Sequence, residues 1–576
     1  MTAGAGDSPA VFHPPPHRRL FRLLRPERGD IAVVLILSFV NGVLLLATPL
    51  TVDALVNNIA FGGREQVYVQ ALVVLAVLLL ACLLLVAFMR AVQHYAMEII
   101  QQRLFVRMSA DLAYRLPRTQ AVALEQSMGP DLVNRFFEIV TVQKSSSLLL
   151  LEGVNLVLAT VIGLIVLAFY HPFLMAFALV LVLVLAVVIF LFGRRAVQTS
   201  IGESYAKHAV AGWLEQIAMF PILFKSGGAT ALACRRADEL AQEYISRRRD
   251  HFRILLRQIC GLLTLQALAS AALLIIGGSL VLRGELTLGQ LVASELIVGA
   301  IVASVSKLGK HMEAWYDALA SVDKLGYLVD LPVERESGGV PESASGPAGV
   351  VVEAVTFGYD AAHPVLNRLS LEFRPGSRVA IVGTNGGGTS TLMDLLQGFR
   401  VPQEGRILVD GLDLRDWELQ ELRHQTVLVR GREVVGGTLM ENVRLGRDEV
   451  SVEEVRRALD AVGLGLVVQQ LPDGLDTLLK AGGRPLSGTQ RARLVLARAL
   501  VAKPRLLLLD EYLDGLGTNL ITEWESLLFA RSNPWTLVVA TRDPDVIRRC
   551  DQVVQLSRNR EDLASGGTAS TVSTVS

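Results

Sequence analysis

Gly383-Thr384-Asn385-Gly386-Gly387-Gly388-Thr389-Ser390-Thr391 is a phosphate loop without its lysine. The pattern G-x-x-x-x-G-K-[ST] asks for Lys at position 389, and Thr stands there. Upstream, Arg378-Val379-Ala380-Ile381-Val382 reads as a buried strand, and downstream Leu392-Met393-Asp394-Leu395-Leu396 opens a helix. That context turns backbone N–H groups toward phosphate at a helix N-terminus. The glycines let the backbone approach closely, so the cradle is expected to persist. The charge that reaches the β- and γ-phosphates is gone. An α/β P-loop nucleotide-binding domain with a mostly parallel sheet is therefore expected over residues 350–558.

Outward from that loop, the chain is too long and too apolar for one soluble domain. It has 576 residues, of which 51% are hydrophobic, so several domains and a membrane segment are expected. Fifty-five Lys and Arg balance 55 Asp and Glu, so bulk charge gives no ground for a nucleic-acid partner. Cys82, Cys234, Cys260 and Cys550 follow no metal-like or paired spacing, which favours plain packing. The first thirty residues hold Pro14-Pro15-Pro16 and a basic stretch from Arg18 to Arg28. They lack the apolar core and cleavage site of a signal peptide and are too short for an N-terminal peptidase domain.

Six apolar stretches stand out at 31–50, 67–88, 148–169, 173–192, 259–282 and 288–305. Each approaches the ~20 residues that cross a bilayer core. Their joins alternate in length. Short ones lie around Gly62-Gly63, Tyr170-His171-Pro172 and Arg283-Gly284-Glu285. The two long ones, 89–147 and 193–258, carry Arg103, Arg107, Arg115, Arg118, Arg194, Arg195, Lys225 and Arg247-Arg248-Arg249. The positive-inside rule puts these loops and the N-terminus in the cytoplasm. Helical patterning in both loops predicts spans that continue beyond the lipid; soluble insertions are disfavoured because neither loop is strand-rich. Gln290 and Glu295 in the sixth stretch, and Glu152 and Asn155 in the third, either face a bundle interior or are solvated near a span end. The solvated reading is preferred for Glu152, and both stay open for Glu295. Residues 1–29 form a cytoplasmic N-terminal segment, 30–332 the six-helix membrane domain, 333–349 a linker rich in Glu, Ser, Gly and Pro, and 559–576 a Ser/Thr/Gly tail expected to be disordered.

From 350 to 557 the chain resembles the nucleotide-binding domain of ABC transporters, and 30–557 resembles an exporter-type half-transporter. The order of six spans and then one such domain carries that resemblance, as do Arg283-Gly284-Glu285-Leu286-Thr287-Leu288-Gly289 and Ala320-Ser321-Val322-Asp323-Lys324-Leu325 on either side of the last span. The resemblance implies ATP and Mg²⁺ as ligands, a second half-transporter as partner, and a bacterial plasma (inner) membrane as location. Membrane-fusion or secretion components are further candidate partners.

Residue by residue, the resemblance assigns Tyr359 to the adenine stack, against the plainer reading of a packed strand aromatic. Leu506-Leu507-Leu508-Leu509-Asp510-Glu511 becomes the Walker B strand. Asp510 and Ser390 would hold Mg²⁺, and Glu511 would be the general base. The signature is Leu486-Ser487-Gly488-Thr489-Gln490, with Thr489 where the family has Gly. Its hydroxyl would bond phosphate, or its methyl would block closure. Arg430 stands at the Q-loop glutamine, Arg542 at the switch histidine, Ala481 at an acidic position and Gly517 at the D-loop Asp. Three arrangements are open for Arg430 and Arg542: replacing the missing charge beside phosphate, pairing with Asp510 and Glu511, or pointing to solvent.

In this family one chain's Walker loops and the other chain's signature enclose each nucleotide. A homodimer of this chain would have no competent site; a heterodimer with a complete partner would keep one. The leading expectation is an exporter subunit with a hydrolysis-deficient Walker site and a complete partner. Whether that Walker site binds nucleotide is left open. The alternatives are a non-transporting pseudo-ATPase scaffold or sensor of a secretion system, and an active homodimeric exporter.

Overall fold

The computed structural model describes residues 15–61, 65–125, 134–341, 345–360, 363–383, 386–558 and 570–575. The chain divides into two compact units, Met1–Thr119 with Ala123–Pro332 and Gln120–Val122 with Val333–Ser576.

The first unit is helical. Among the described residues, five helices are long and apolar enough to cross a membrane: Pro16–Asn57, Leu72–Arg118, Arg135–Tyr170, Pro172–Phe192 and Ala229–Leu282. The sixth expected span differs. It belongs to the helix Leu288–Val329 and contributes a shorter apolar stretch, Leu288–Ile301, among the described residues. Among the described residues the long joins are mostly helical, as their patterning predicts. Glu65–Arg115 runs 51 residues and Ala229–Leu282 runs 54. At 1.5 Å per residue each is more than ~75 Å long, over twice a ~30 Å hydrocarbon core.

Polar side chains and small residues tie these helices together, as lipid offers no hydrophobic drive between them. Gln93 is buried and donates to Ser38 Oγ (2.8 Å) and Val34 O (3.2 Å), while Asn41 Nδ2 donates to Gln93 Oε1 (3.0 Å). Gly163 sits where a Cβ would come within 2.9 Å of Ile297, so only a bare backbone allows this approach. Glu295 is exposed on its helix, whereas Gln290 completes a capping box with Thr287. Glu152 is half exposed, 3.7 Å from His311 Nε2.

The second unit is α/β. Its main sheet runs, in spatial order, Ser570–Val575, Gln552–Arg558, Arg378–Gly383, Thr536–Ala540, Leu506–Asp510 and Thr426–Arg430. All pairings are parallel except that of the outermost strand. An antiparallel sheet of Leu366–Phe373, Val350–Phe357, Glu404–Val409 and Leu412–Asp413 accompanies it. Leu506, Leu507, Leu508 and Leu509 are buried, as a strand covered on both faces requires. One expectation fails here. Ser570–Val575, assigned to a disordered tail, pairs antiparallel with Gln552–Arg558. Its Ser-Thr-Val-Ser-Thr-Val sequence is rich in β-branched residues, and composition read as disorder missed that strand preference. The linker is also fastened to this unit. Glu334 takes both guanidinium nitrogens of Arg423 (2.6 and 2.8 Å), Arg335 donates to Trp417 O (2.9 Å), and a Cβ on Gly338 would lie 2.2 Å from Glu418 N.

Candidate nucleotide site

The phosphate loop leaves the strand Arg378–Gly383 and enters the helix Thr389–Leu396. Thr384 and Asn385 lie outside the described residues. Gly386 (φ 77°) and Gly388 (φ 87°) are left-handed, a conformation that favours glycine. A Cβ on Gly388 would also come within 2.7 Å of Leu366. Gly388 caps the helix, leaving the backbone donors of its first turn for an anion. Phosphate therefore fits this cradle. Thr389 does not reach outward as a lysine would: its Cγ2 lies where a Cβ on Gly383 would be only 2.6 Å away.

Arg430 ends its strand inside the cleft, adopting one of the three arrangements left open. Its Nε donates to Asp510 Oδ2 (2.6 Å), and its Nη2 lies 2.8 Å from Asp394 Oδ1 and donates to Ser390 O (3.1 Å). Ser390 Oγ donates to the other oxygen of Asp510 (3.2 Å). Burial works against the charge on Arg430, but the Asp394 and Asp510 carboxylates outweigh it and raise its pKa. Both residues that would hold Mg²⁺ are thus already bonded, to each other and to a fixed cation.

The network continues toward the adenine end. Asp394 also accepts from Arg400 Nε (3.1 Å), and the Arg400 guanidinium lies 4.5 Å from the centre of the Tyr359 ring. Tyr359 is 60% exposed, so most of its ring stays available for stacking, and its hydroxyl is 3.2 Å from Thr391 Oγ1. Asp394 and Arg400 escaped the sequence reading because each is one polar residue in an apolar helix or turn. The spacing of six between them was the signal available.

Glu511 follows the Walker B strand with φ 50°, a left-handed value uncommon outside glycine, and its N–H donates to Ala540 O (3.0 Å). Arg542 Nη2 lies 3.8 Å from Glu511 Oε1, with both side chains about half exposed. Asp514, another residue missed in the sequence, accepts from the Thr541 hydroxyl and from Arg542 N (3.3 Å), holding the switch loop. Gly517, at the D-loop Asp position, caps a short helix with φ 82°.

The signature heads the helix Gly488–Val501. Ser487 caps it reciprocally with Gln490: Ser487 N donates to Gln490 Oε1 (2.8 Å) and Gln490 N to Ser487 Oγ (3.3 Å). Leu486 anchors the turn in the core, while Ser487 and Thr489 are exposed. The guanidinium nitrogens of Arg432 and Arg491 lie within 4 Å of a Cβ built on Gly488, so the helix start is flanked by positive charge.

The membrane unit holds a cavity of about 650 Å³. Arg90, His94, Lys144 and Lys307 reach it from three helices, with Leu148 and Leu156 in its apolar wall. Among the described residues no carboxylate pairs with Arg90, Lys144 or Lys307.

Two family signatures match the chain: one for the ABC transporter transmembrane region over residues 31–305 and one for the ABC transporter over 366–514. The chain belongs to the ABC transporters, as a half-transporter in which a membrane domain is fused to an ATP-binding domain. This membership implies ATP binding with Mg²⁺ and an integral place in the membrane. YwjA of Bacillus subtilis (strain 168), described as an uncharacterized ABC transporter ATP-binding protein, is 32% identical over 288 residues, half of each chain. The chain therefore spans about half the length of that relative. An ATP-dependent lipid A-core flippase of Cupriavidus metallidurans is 27% identical over 562 residues, 94% of this chain and 92% of that one. The structure of a bacterial Atm1-family ABC exporter with ATP bound has the same fold, with TM-score 0.79 and 23% identity over 92% of this chain and 93% of that one.

Proposed function

We propose that this chain is the hydrolysis-deficient half of an ABC exporter, working beside a half-transporter whose own Walker loops are complete. The observation that carries this reading is the contrast between its two ATP-facing surfaces. The Walker side has Thr389 for lysine, folded back toward Gly383, and Arg542 for histidine. The signature side keeps a capped helix whose Ser487 is exposed at a positively flanked N-terminus. Losing one preorganised electrostatic donor slows a transfer step by ~10²–10³. A homodimer would carry that defect in both sites. A heterodimer carries it in one, and this chain's Ser487, Gly488 and Gln490 then serve the partner's nucleotide.

The cavity supports a substrate class. Arg90, Lys144 and Lys307, near the expected cytoplasmic ends of spans two, three and six, line the cavity with a single carboxylate among the described residues, Glu152, and with apolar side chains such as Leu148 and Leu156. Cations at the interface above apolar side chains suit an amphiphile with an anionic head. The lipid A-core flippase similarity agrees with export of such a molecule.

ATPase measurements on two preparations test the main reading. The full chain alone in nanodiscs should match its Glu511→Gln variant, and the complex captured from native membranes should hydrolyse ATP and contain a second half-transporter. Turnover by the chain alone that Glu511→Gln abolishes overturns the reading in favour of an active homodimer. A native complex with no second half-transporter and no turnover would favour the scaffold.

A further inference from the structure

We propose that Arg430 takes the place of the divalent metal at this chain's own phosphate loop, so that this half-site binds a nucleoside triphosphate free of metal. The inference rests on the reading that the loop still cradles phosphate. It departs from the metal chemistry that the fold implies. Ser390 Oγ and Asp510, the groups that would hold Mg²⁺, face each other at 3.2 Å, and Arg430 Nε closes the second oxygen of Asp510 at 2.6 Å. A guanidinium stays charged at any physiological pH, and its planar fork keeps the geometry that a carboxylate matches. A divalent ion on Asp510 would meet that like charge at contact distance.

The cation is also held from behind. Asp394 lies 2.8 Å from Arg430 Nη2 and is itself fixed by Arg400 at 3.1 Å. Arg430 therefore cannot swing off Asp510 without leaving Asp394, itself only 9% exposed, short of one of its two cationic partners. Its Nη1 makes no hydrogen bond among the described residues, and the side chain is 42% exposed. Two N–H donors on Nη1 thus remain for phosphate oxygens, on the same guanidinium that bonds Asp510 and Ser390 O. The glycine cradle and helix N-terminus supply the other donors.

The test uses the full-length chain in nanodiscs with a fluorescent ATP analogue, titrated in EDTA and in excess Mg²⁺. We expect affinities within about a factor of two of each other, and no nucleotide-dependent Mn²⁺ binding by electron paramagnetic resonance. Arg430→Gln should make binding metal-dependent and create a bound-Mn²⁺ signal. Binding that needs Mg²⁺ in the unmodified chain, or a bound-Mn²⁺ signal from it, overturns the inference, as does absence of binding in both media. Because the Mn²⁺ measurement needs no variant, misfolding of Arg430→Gln cannot rescue the idea. Hydrolysis recorded on the same samples separates the two claims. Metal-dependent binding without turnover sinks only this inference, whereas turnover by the chain alone sinks the hydrolysis-deficient reading.

Discussion

Ser487 offers the sharpest separation of the two ATP-facing surfaces. In the native complex, Ser487→Ala removes a helix cap and a candidate phosphate donor together, and the two losses differ in size. The cap accepts Gln490 N at a long 3.3 Å, so its removal costs about 1 kcal/mol of stability. A domain stable by ~5–15 kcal/mol remains folded after that loss. Loss of one preorganised donor at a transferred phosphoryl group is far larger in rate, ~2.7–4 kcal/mol or about 10²–10³-fold. Ser487→Ala should therefore lower ATPase turnover by about two orders of magnitude while barely changing the melting temperature. Ser487→Asp sharpens the point. Aspartate caps helices as well as serine does, but its carboxylate would confront the partner's γ-phosphate. Stability should be restored and turnover should stay low. Glu511→Gln in the same complex should change turnover less than about twofold, because Glu511 faces a site without its lysine and its pair with Arg542 is exposed and weak. Normal turnover in Ser487→Asp refutes a phosphate at this helix. Equal loss from Ser487→Ala and Glu511→Gln refutes the silent Walker site.

Two further outcomes are expected. If the basic cavity receives an anionic head group, dodecyl phosphate should stimulate the native complex and dodecyl maltoside should not, and Lys144→Glu with Lys307→Glu should abolish that stimulation; equal responses to both detergents would refute the charge argument. The Asp551 carboxylate, bonded to Arg378 Nε (2.7 Å) and Nη2 (2.6 Å), should contribute pH-dependent stability. Burial raises its pKa, but Arg378 outweighs burial and the net shift is downward, so the contribution is complete above the unfolded value of ~3.9 and fades as pH falls through the folded value. Asp551→Asn should cost ~1.5–3 kcal/mol at neutral pH by chemical denaturation and flatten the acid limb; an unchanged acid limb would exclude this pair as its source.

How far the sequence carried depended on whether a feature is periodic or pairwise. Buried strands such as Leu506–Asp510 and long helices such as Ala229–Leu282 repeat one requirement over many residues, so apolar runs reveal them without partners. Glycines 386 and 388 were equally legible, because each answers a local backbone demand. Arg430 was legible only as a departure. Which of three arrangements it takes depends on Asp510 and Asp394, 80 and 36 positions away, and no local pattern encodes that distance. Gln93 escaped notice altogether, since a single amide just past an apolar stretch announces neither Ser38 nor Asn41. The 570–575 strand was hidden by a composition that suits both coil and edge strand.

The changed positions cluster where nucleotide would sit, and this argues against simple decay. A domain losing its function by drift would also lose core residues, because most core changes destabilise by amounts comparable to a domain's whole margin. Here Leu506–Leu509, Val538, Val539 and Ala540 remain buried and well packed. The cleft meanwhile carries a set of paired charges and hydrogen bonds: Arg430 on Asp510, Asp394 between Arg430 and Arg400, and Asp514 on Thr541 and Arg542. An arginine beside two carboxylates is costly to bury unless each charge is answered, and each is. Drift removes partners one at a time, whereas Arg430 and Arg542 each face a carboxylate here, an arrangement that agrees with the proposed role other than hydrolysis. Under the proposed heterodimer, the signature helix on the same unit is the surface that this half-site would present to a working partner.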